Sequence, residues 1–154
     1  MIFDPDQVPR TQMQFWVDVA TIDTGSPERD AHVRSAEFLD AERFPRAEFT
    51  STNVRPGRDE EALVTGRLEL HGIARSVDLR VIAQRSWLDE RGRMRALYAV
   101  HGQVDRQAFG LHWNQDLDVG GIVVGDKVEL TGRVEMVCTG RVAHAGNDAT
   151  SVSP

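Results

Sequence analysis

At 154 residues the chain is long enough for one domain with its own core and too short for two ordinary ones. A formal net charge of −6 and a pI near 5.3 argue against a nucleic-acid backbone as partner, and the arginines are scattered among acids without a basic stripe. Cys138 is the only cysteine, so neither an internal disulfide nor a thiolate metal cluster can be built from this chain alone.

The opening "MIFDPDQVPR" lacks the basic start and apolar run of a secretion signal. No later stretch approaches the ~18 apolar residues needed to span a bilayer. The expectation is a chain that spans no membrane and is cytoplasmic as written, or periplasmic or secreted if the true start lies upstream of Met1. In "QMQFWVDVA", residues 12–20, Met13, Phe15, Val17 and Val19 alternate with Gln12, Gln14 and Asp18, which predicts a strand with one dry face. Trp16 breaks its polar face. After Gly25, "SPERDAHVRSAEF" predicts one short helix near 27–36, with Ser26 as cap, Pro27 at the first helical position and acids in the first turn.

Alternation then resumes. Val64, Gly66, Leu68 and Leu70 oppose Thr65, Arg67, Glu69 and His71; Gly72 offers a turn, and Val77, Leu79 and Val81 oppose Asp78 and Arg80, which predicts a hairpin. Met94, Ala96, Tyr98, Val100, Gly102 and Val104 share one parity of a strand over 93–105, and "KVELTGRVEMVC" is the cleanest strand of all. Turn signals at "DERGR" (89–93) and "VGD" (124–126) join them. Residues 140–154 are small, polar and aperiodic and read as a disordered tail behind one domain at 1–139. The fold class is therefore mainly β: an antiparallel sheet that buries its dry face by curling into a barrel or stacking as a sandwich.

Catalytic chemistry finds little support. The five histidines, His32, His71, His101, His112 and His144, have no metal-ligand spacing, and His71 and His101 fall on polar parities. Ser35 has no glycine elbow, Cys138 lies on an apolar parity, and no phosphate loop is present. What remains is the inward parity: Phe15, Val17, Leu68, Leu70, Val81, Tyr98, Val100 and Val134, to which the excursion after the first strand adds Phe38, Phe44 and Phe49. Gly66, Gly102 and Gly132 on that parity either leave lumen space or mark bulges and coiling points.

The stretch "TIDTGSPERDAHVRSAEFLDAERFPRAEFTST" (21–52), with "VTGRLELHGIARSVDLRV", "VDRQAFGLHWN" and "VGDKVELTGRVEMV" downstream, resembles the bacterial YceI-like family of polyisoprenoid-binding proteins from Ile2 to about Val137. The resemblance implies a lipocalin-like antiparallel barrel, open or incomplete, with a long apolar pocket. It makes Arg29, Asp30, His32, Arg34, Ser35, Phe38, Asp40, Phe44 and Pro45 the helix and plug motif at the barrel mouth. Its charged members are expected to pair with one another and with backbone, while Phe38 and Phe44 face the lumen. Phe109 and Trp113 join the ligand-binding set. The chain departs from the family pattern at Glu69 and Ser76, and it lacks the family's opening strands. The strand at 12–20 is then an open edge, and a homodimer that completes the sheet is the expected partner arrangement.

The function so implied is a carrier or storage protein, not an enzyme, for an isoprenoid-type lipid or quinone, with no other cofactor and no metal. Two alternatives stand beside it: an enzyme on a small apolar substrate using His32 with Asp30 or Asp40, and a truncated interaction module without ligand.

Overall fold

In the computed structural model of the chain, residues 12–58, 60–114 and 124–137 are described. Six strands follow one another: β1 (Gln14–Asp18), β2 (Arg46–Pro56), β3 (Glu61–Leu70), β4 (Ile73–Leu88), β5 (Met94–Asp105) and β6 (Lys127–Val137). One helix, α1 (Pro27–Arg34), lies in the excursion between β1 and β2, and 3-10 turns at Val19–Thr21 and Arg106–Phe109 follow β1 and β5. Each strand pairs antiparallel with its chain neighbour, giving the order β1-β2-β3-β4-β5-β6, a meander curled into a half-barrel. Among the described residues β1 and β6 are its two edges.

The hairpin between β3 and β4 forms at its two-residue turn. His71 (φ 53°) and Gly72 (φ 71°) are both left-handed, the mirror-image turn whose twist matches that of the flanking strands. His71 is thus a turn residue rather than a polar-face strand residue. Glycine at 72 has a second cause, since a Cβ there would stand 2.5 Å from the Phe44 ring. At the other end of β4, the Asp89 carboxylate accepts the backbone N–H groups of Arg91 and Arg93 and closes the turn at 89–93.

β2 is the strand that alternation does not announce. Ala47, Phe49 and Ser51 point inward, but a bulge between Ser51 and Asn53 changes the phase, so the next inward residue is Val54 opposite Val64. A second bulge, between Ala83 and Arg85, does the same to β4 and brings Ser86 and Leu88 onto the face that Leu79 and Val81 occupied before it. α1 begins after Ser26 as expected, yet the Ser26 side chain makes no capping bond; its carbonyl accepts the Asp30 N–H at 2.9 Å. The only buried residue of α1 is Asp30, so this helix is held by polar contacts rather than by an apolar stripe. Cys138 and the expected tail lie outside the described residues.

The core is the inner face of the sheet. Phe49, Val64, Leu68, Leu79, Val81 and Val100 are buried there, and Phe109 is sealed beneath them with 1% of its surface exposed. At Gly66 and Gly102 the freed space is occupied: a Cβ would stand 2.2 Å from the Phe49 ring at the first and 2.5 Å from a Leu79 methyl at the second. Gly132 alone of the three has nothing within 4 Å.

Candidate functional site

The pairing register puts all the irregular segments at one end of the sheet. Asp18 lies opposite Arg46, Leu70 opposite Ile73 and Asp105 opposite Lys127, so the 19–45 excursion, the 71–72 turn and the 106–114 loop leave from the same rim. They form a cap. Val19 donates to the Pro45 carbonyl at 2.9 Å and closes the base of the excursion. Phe44 sits edge-on to His71 at 4.9 Å, and the His71 ring contacts the Phe109 carbonyl at 3.2 Å. Trp113 meets His32 at 4.5 Å and Phe38 at 6.0 Å, which joins the excursion to the loop after β5.

The charged plug residues do not pair with one another as expected. Asp30 accepts the Thr24 N–H at 2.7 Å and its hydroxyl at 2.6 Å, while Arg29 donates to the Thr24 hydroxyl and carbonyl at 2.9 and 2.6 Å. Arg34 donates to the Ile22 carbonyl, and its Nε is buried without an acceptor among the described residues. Ser35 bonds the His32 carbonyl and receives the Asp40 N–H, the turn that places Asp40 at φ 46°. Thr24 prevails because its N–H and hydroxyl reach one carboxylate together, without the long side chains an ion pair must immobilise. His32 meets neither Asp30 nor Asp40; its partner is Glu37 at 3.3 Å. The acid–base pair required by the enzymatic alternative is therefore not assembled.

The two hydrogen bonds from Thr24, with Arg34 and Arg29 nearby, hold the Asp30 carboxyl below the usual carboxylate range. A lowered carboxylate pKa contributes stability that is present above the unfolded value of about 4 and is lost as pH falls through the folded one. Thermal melts between neutral and acid pH should show the wild type losing stability below about pH 4. Asp30→Asn should start lower at neutral pH and lose less on acidification; equal slopes would contradict this assignment.

The second half of the cap is organised by Arg106. Its guanidinium, 3% exposed, spends all five N–H groups: Nε on the Gly125 carbonyl at 2.9 Å, Nη1 on the Leu111 and Trp113 carbonyls, and Nη2 on the Val124 carbonyl and the Asp126 carboxylate at 3.1 Å each. Asn114 brackets the same segment, donating to the Val124 carbonyl at 3.0 Å and accepting its N–H at 3.1 Å. Asp105 accepts the Gln107 N–H at 3.0 Å and starts the 3-10 turn, and Gly110 ends it at φ 75°. Arg106, Asn114 and Asp105 were present in the "VDRQAFGLHWN" resemblance; only the fold reveals that they are the staple of the loop.

The expected ligand residues divide between this cap and the concave face. Phe15, Phe49 and Leu68 make one cross-strand row, with Phe15 stacked on Phe49 at 5.1 Å, and Val81 lies opposite Val100 in another. Leu70 and Tyr98 are half-buried beside that core, and Val17 at the β1 edge is 53% exposed. Phe38, Phe44, Phe109 and Trp113 belong to the cap, and Leu39, which alternation does not single out, packs against the core. Recesses of 430 and 290 Å³ lie along β4, the first among Asp78, Gln103, Asp105 and Phe109, the second among Thr52, Arg67, Ala74 and Arg75; of the expected residues only Phe109 lines either.

Comparison with known proteins gives a consistent answer. The family model described as the YceI-like domain matches residues 1–136. Relatives named Protein YceI from Salmonella arizonae and Salmonella newport are each 34% identical over 109 residues, 71% of this chain and 56% of theirs. The chain thus spans about half the length of the curated relatives it matches. Among solved structures, the YceI protein of Campylobacter jejuni superposes with a TM-score of 0.77 at 19% identity, covering 90% of this chain and 79% of that one. BcnA of Burkholderia cenocepacia superposes at 0.75 and 23% identity, covering 88% and 80%. At such identities the likeness is one of fold.

Proposed function

The chain belongs to the YceI-like family, and on that footing we propose that it binds a long apolar isoprenoid-type lipid or quinone along its concave face, as a carrier or storage protein without catalytic activity. The observation that carries this reading is that the apolar inner face continues past the core to surface the protein leaves uncovered. Val17 on β1 and Val128 on β6 are 53% and 38% exposed, and Gly132 has open space above it between the half-buried Leu130 and Val134. Inward-facing Tyr98, opposite Val134, brings a polar hydroxyl to that strip; burial pushes its pKa up, which keeps it a neutral donor. An apolar wall with one or two polar groups is how small-molecule sites bind an amphiphile and fix its orientation. Chain length is poorly discriminated there, because each methylene contributes only about 0.8 kcal/mol.

That β1 and β6 are the edge strands among the described residues supports a homodimer as the state that holds cargo, since a strand edge is a template for a second chain. Native mass spectrometry on freshly purified protein should show a dimer carrying a discrete adduct on the order of several hundred daltons, the mass of an isoprenoid-type lipid, that is lost on denaturation. Gly132→Phe, which fills the open strip from an edge strand, should fold normally and lose the adduct. A bare chain that also fails to take up an added isoprenoid quinone would overturn the reading.

A further inference from the structure

The rim opposite the cap is not level. β3 ends with Glu61 opposite Ile82, whereas β4 runs on to Leu88, paired beyond the second bulge only with β5. Five residues, Gln84–Leu88, therefore overhang the neighbouring strand by roughly 17 Å at the usual rise per residue. The arm ends in the turn at 89–93.

Its side chains are unlike those of the rest of the chain. Leu88 is 62% exposed, more than any other large apolar residue among the described ones. Beside it the Arg85 guanidinium lies over the Trp87 ring at 4.6 Å. Arg91, at the tip, has no side-chain partner among the described residues. Residues 85–95 hold four arginines against two acids, in a chain whose net charge is −6. Asp89 binds Arg93 and Arg95, at 2.8 and 3.0 Å, and Arg95 also pairs with Glu135 on β6, so among the described residues Arg85 and Arg91 are the arm's arginines not engaged by a carboxylate, with Glu90 exposed beside them.

We propose that this arm is a docking element for the surface of an anionic phospholipid bilayer. Tryptophan with arginine at its face, an exposed leucine and an unpaired arginine at a tip are the groups that partition into the headgroup layer, where the ring and aliphatic stems meet acyl chain and the cations meet phosphate. Residues 85–95 carry more arginines than acids in a protein of net charge −6, which favours the orientation that brings the tip against an anionic membrane. The inner side of the arm, Leu88, Met94 and Ala96, leads on to Tyr98 and Val100, so a docked tip connects the bilayer with the concave face. That connection rests on the carrier reading; the docking itself does not.

The test is flotation of the full chain with two kinds of vesicle, phosphatidylcholine alone and phosphatidylcholine containing phosphatidylglycerol. Binding should be at least ~10-fold tighter to the anionic vesicles and should weaken as salt shortens the Debye length. Arg85→Glu with Arg91→Glu, and separately Leu88→Ser, should each lower vesicle binding at least ~10-fold, since all three side chains face solvent and their loss leaves the fold intact. Equal binding to both vesicles, none to either, or variants that bind as the wild type does would overturn the proposal. So would transfer of the arm's contacts to a second copy, seen as a dimer that the Leu88→Ser variant abolishes while vesicle binding persists. Uptake of an isoprenoid quinone, measured without vesicles, reads the carrier function alone; wild type and arm variants should take it up equally, so the two readings fail separately.

Discussion

Arg106→Ala should lower stability by about 3–5 kcal/mol, the range for breaking a buried charged network, and melting should fall by about 10 °C. The cost arises on the side of the partners. Truncation leaves the carbonyls of Leu111, Trp113 and Gly125 without the Arg106 donor that faced them, while the Val124 carbonyl keeps Asn114 and the Asp126 carboxylate keeps Gln107. Arg106→Lys keeps the charge and loses the fork. An ammonium has three donors and no plane, so it should recover less than half of the lost stability. Equilibrium urea unfolding of the three proteins decides the point: a lysine variant as stable as wild type would show that charge, not five-fold donation, holds the loop. Because Trp113 is one of the groups stapled, Arg106→Ala should also free its ring from His32 and Phe38 and shift its fluorescence before global unfolding.

The strands legible from end to end by alternation were those whose phase never changes. β3, β5 and β6 keep one parity inward from end to end, and their predicted bounds agree with the observed ones within a few residues. β2 escaped because the bulge after Ser51 puts Phe49 and Val54 on one face at an odd separation, which a period-two reading scores as noise. The plug motif was legible as a motif but not in its wiring. The motif's charged members suggest pairing with one another; in the fold Asp30 and Arg34 instead meet Thr24 and the Ile22 carbonyl, uncharged parts of the same motif whose role its residue types do not show. The arm at 84–95 was hidden for a different reason. Its exposure depends on β3 stopping at Glu61 while β4 continues, a relation between two strands that neither one's residues contain.

Phe49→Ala should cost about 3–5 kcal/mol, the usual range for emptying a sealed aromatic site, and a double-mutant cycle with Gly66 should show why the ring is there. Gly66→Ala in the wild type should cost about 1–3 kcal/mol, because its Cβ would stand 2.2 Å from the Phe49 ring and 2.7 Å from the Thr50 carbonyl. In the Phe49→Ala background the first clash disappears and the second stays. The cost of Gly66→Ala should therefore fall by about 1 kcal/mol without vanishing. Gly102→Ala is the control: its nearest neighbour is the end of the flexible Leu79 side chain, with backbone no closer than 3.4 Å, so under about 1 kcal/mol is expected. Additivity of Phe49→Ala with Gly66→Ala would mean that the ring does not occupy the glycine's space. Coupling would show that the Phe49 ring already fills the concave face at Gly66. A bound chain would then have to lie toward β5 and β6, where Gly132 leaves room, and substitutions at Gly132 should act on cargo while those at Gly66 act on stability.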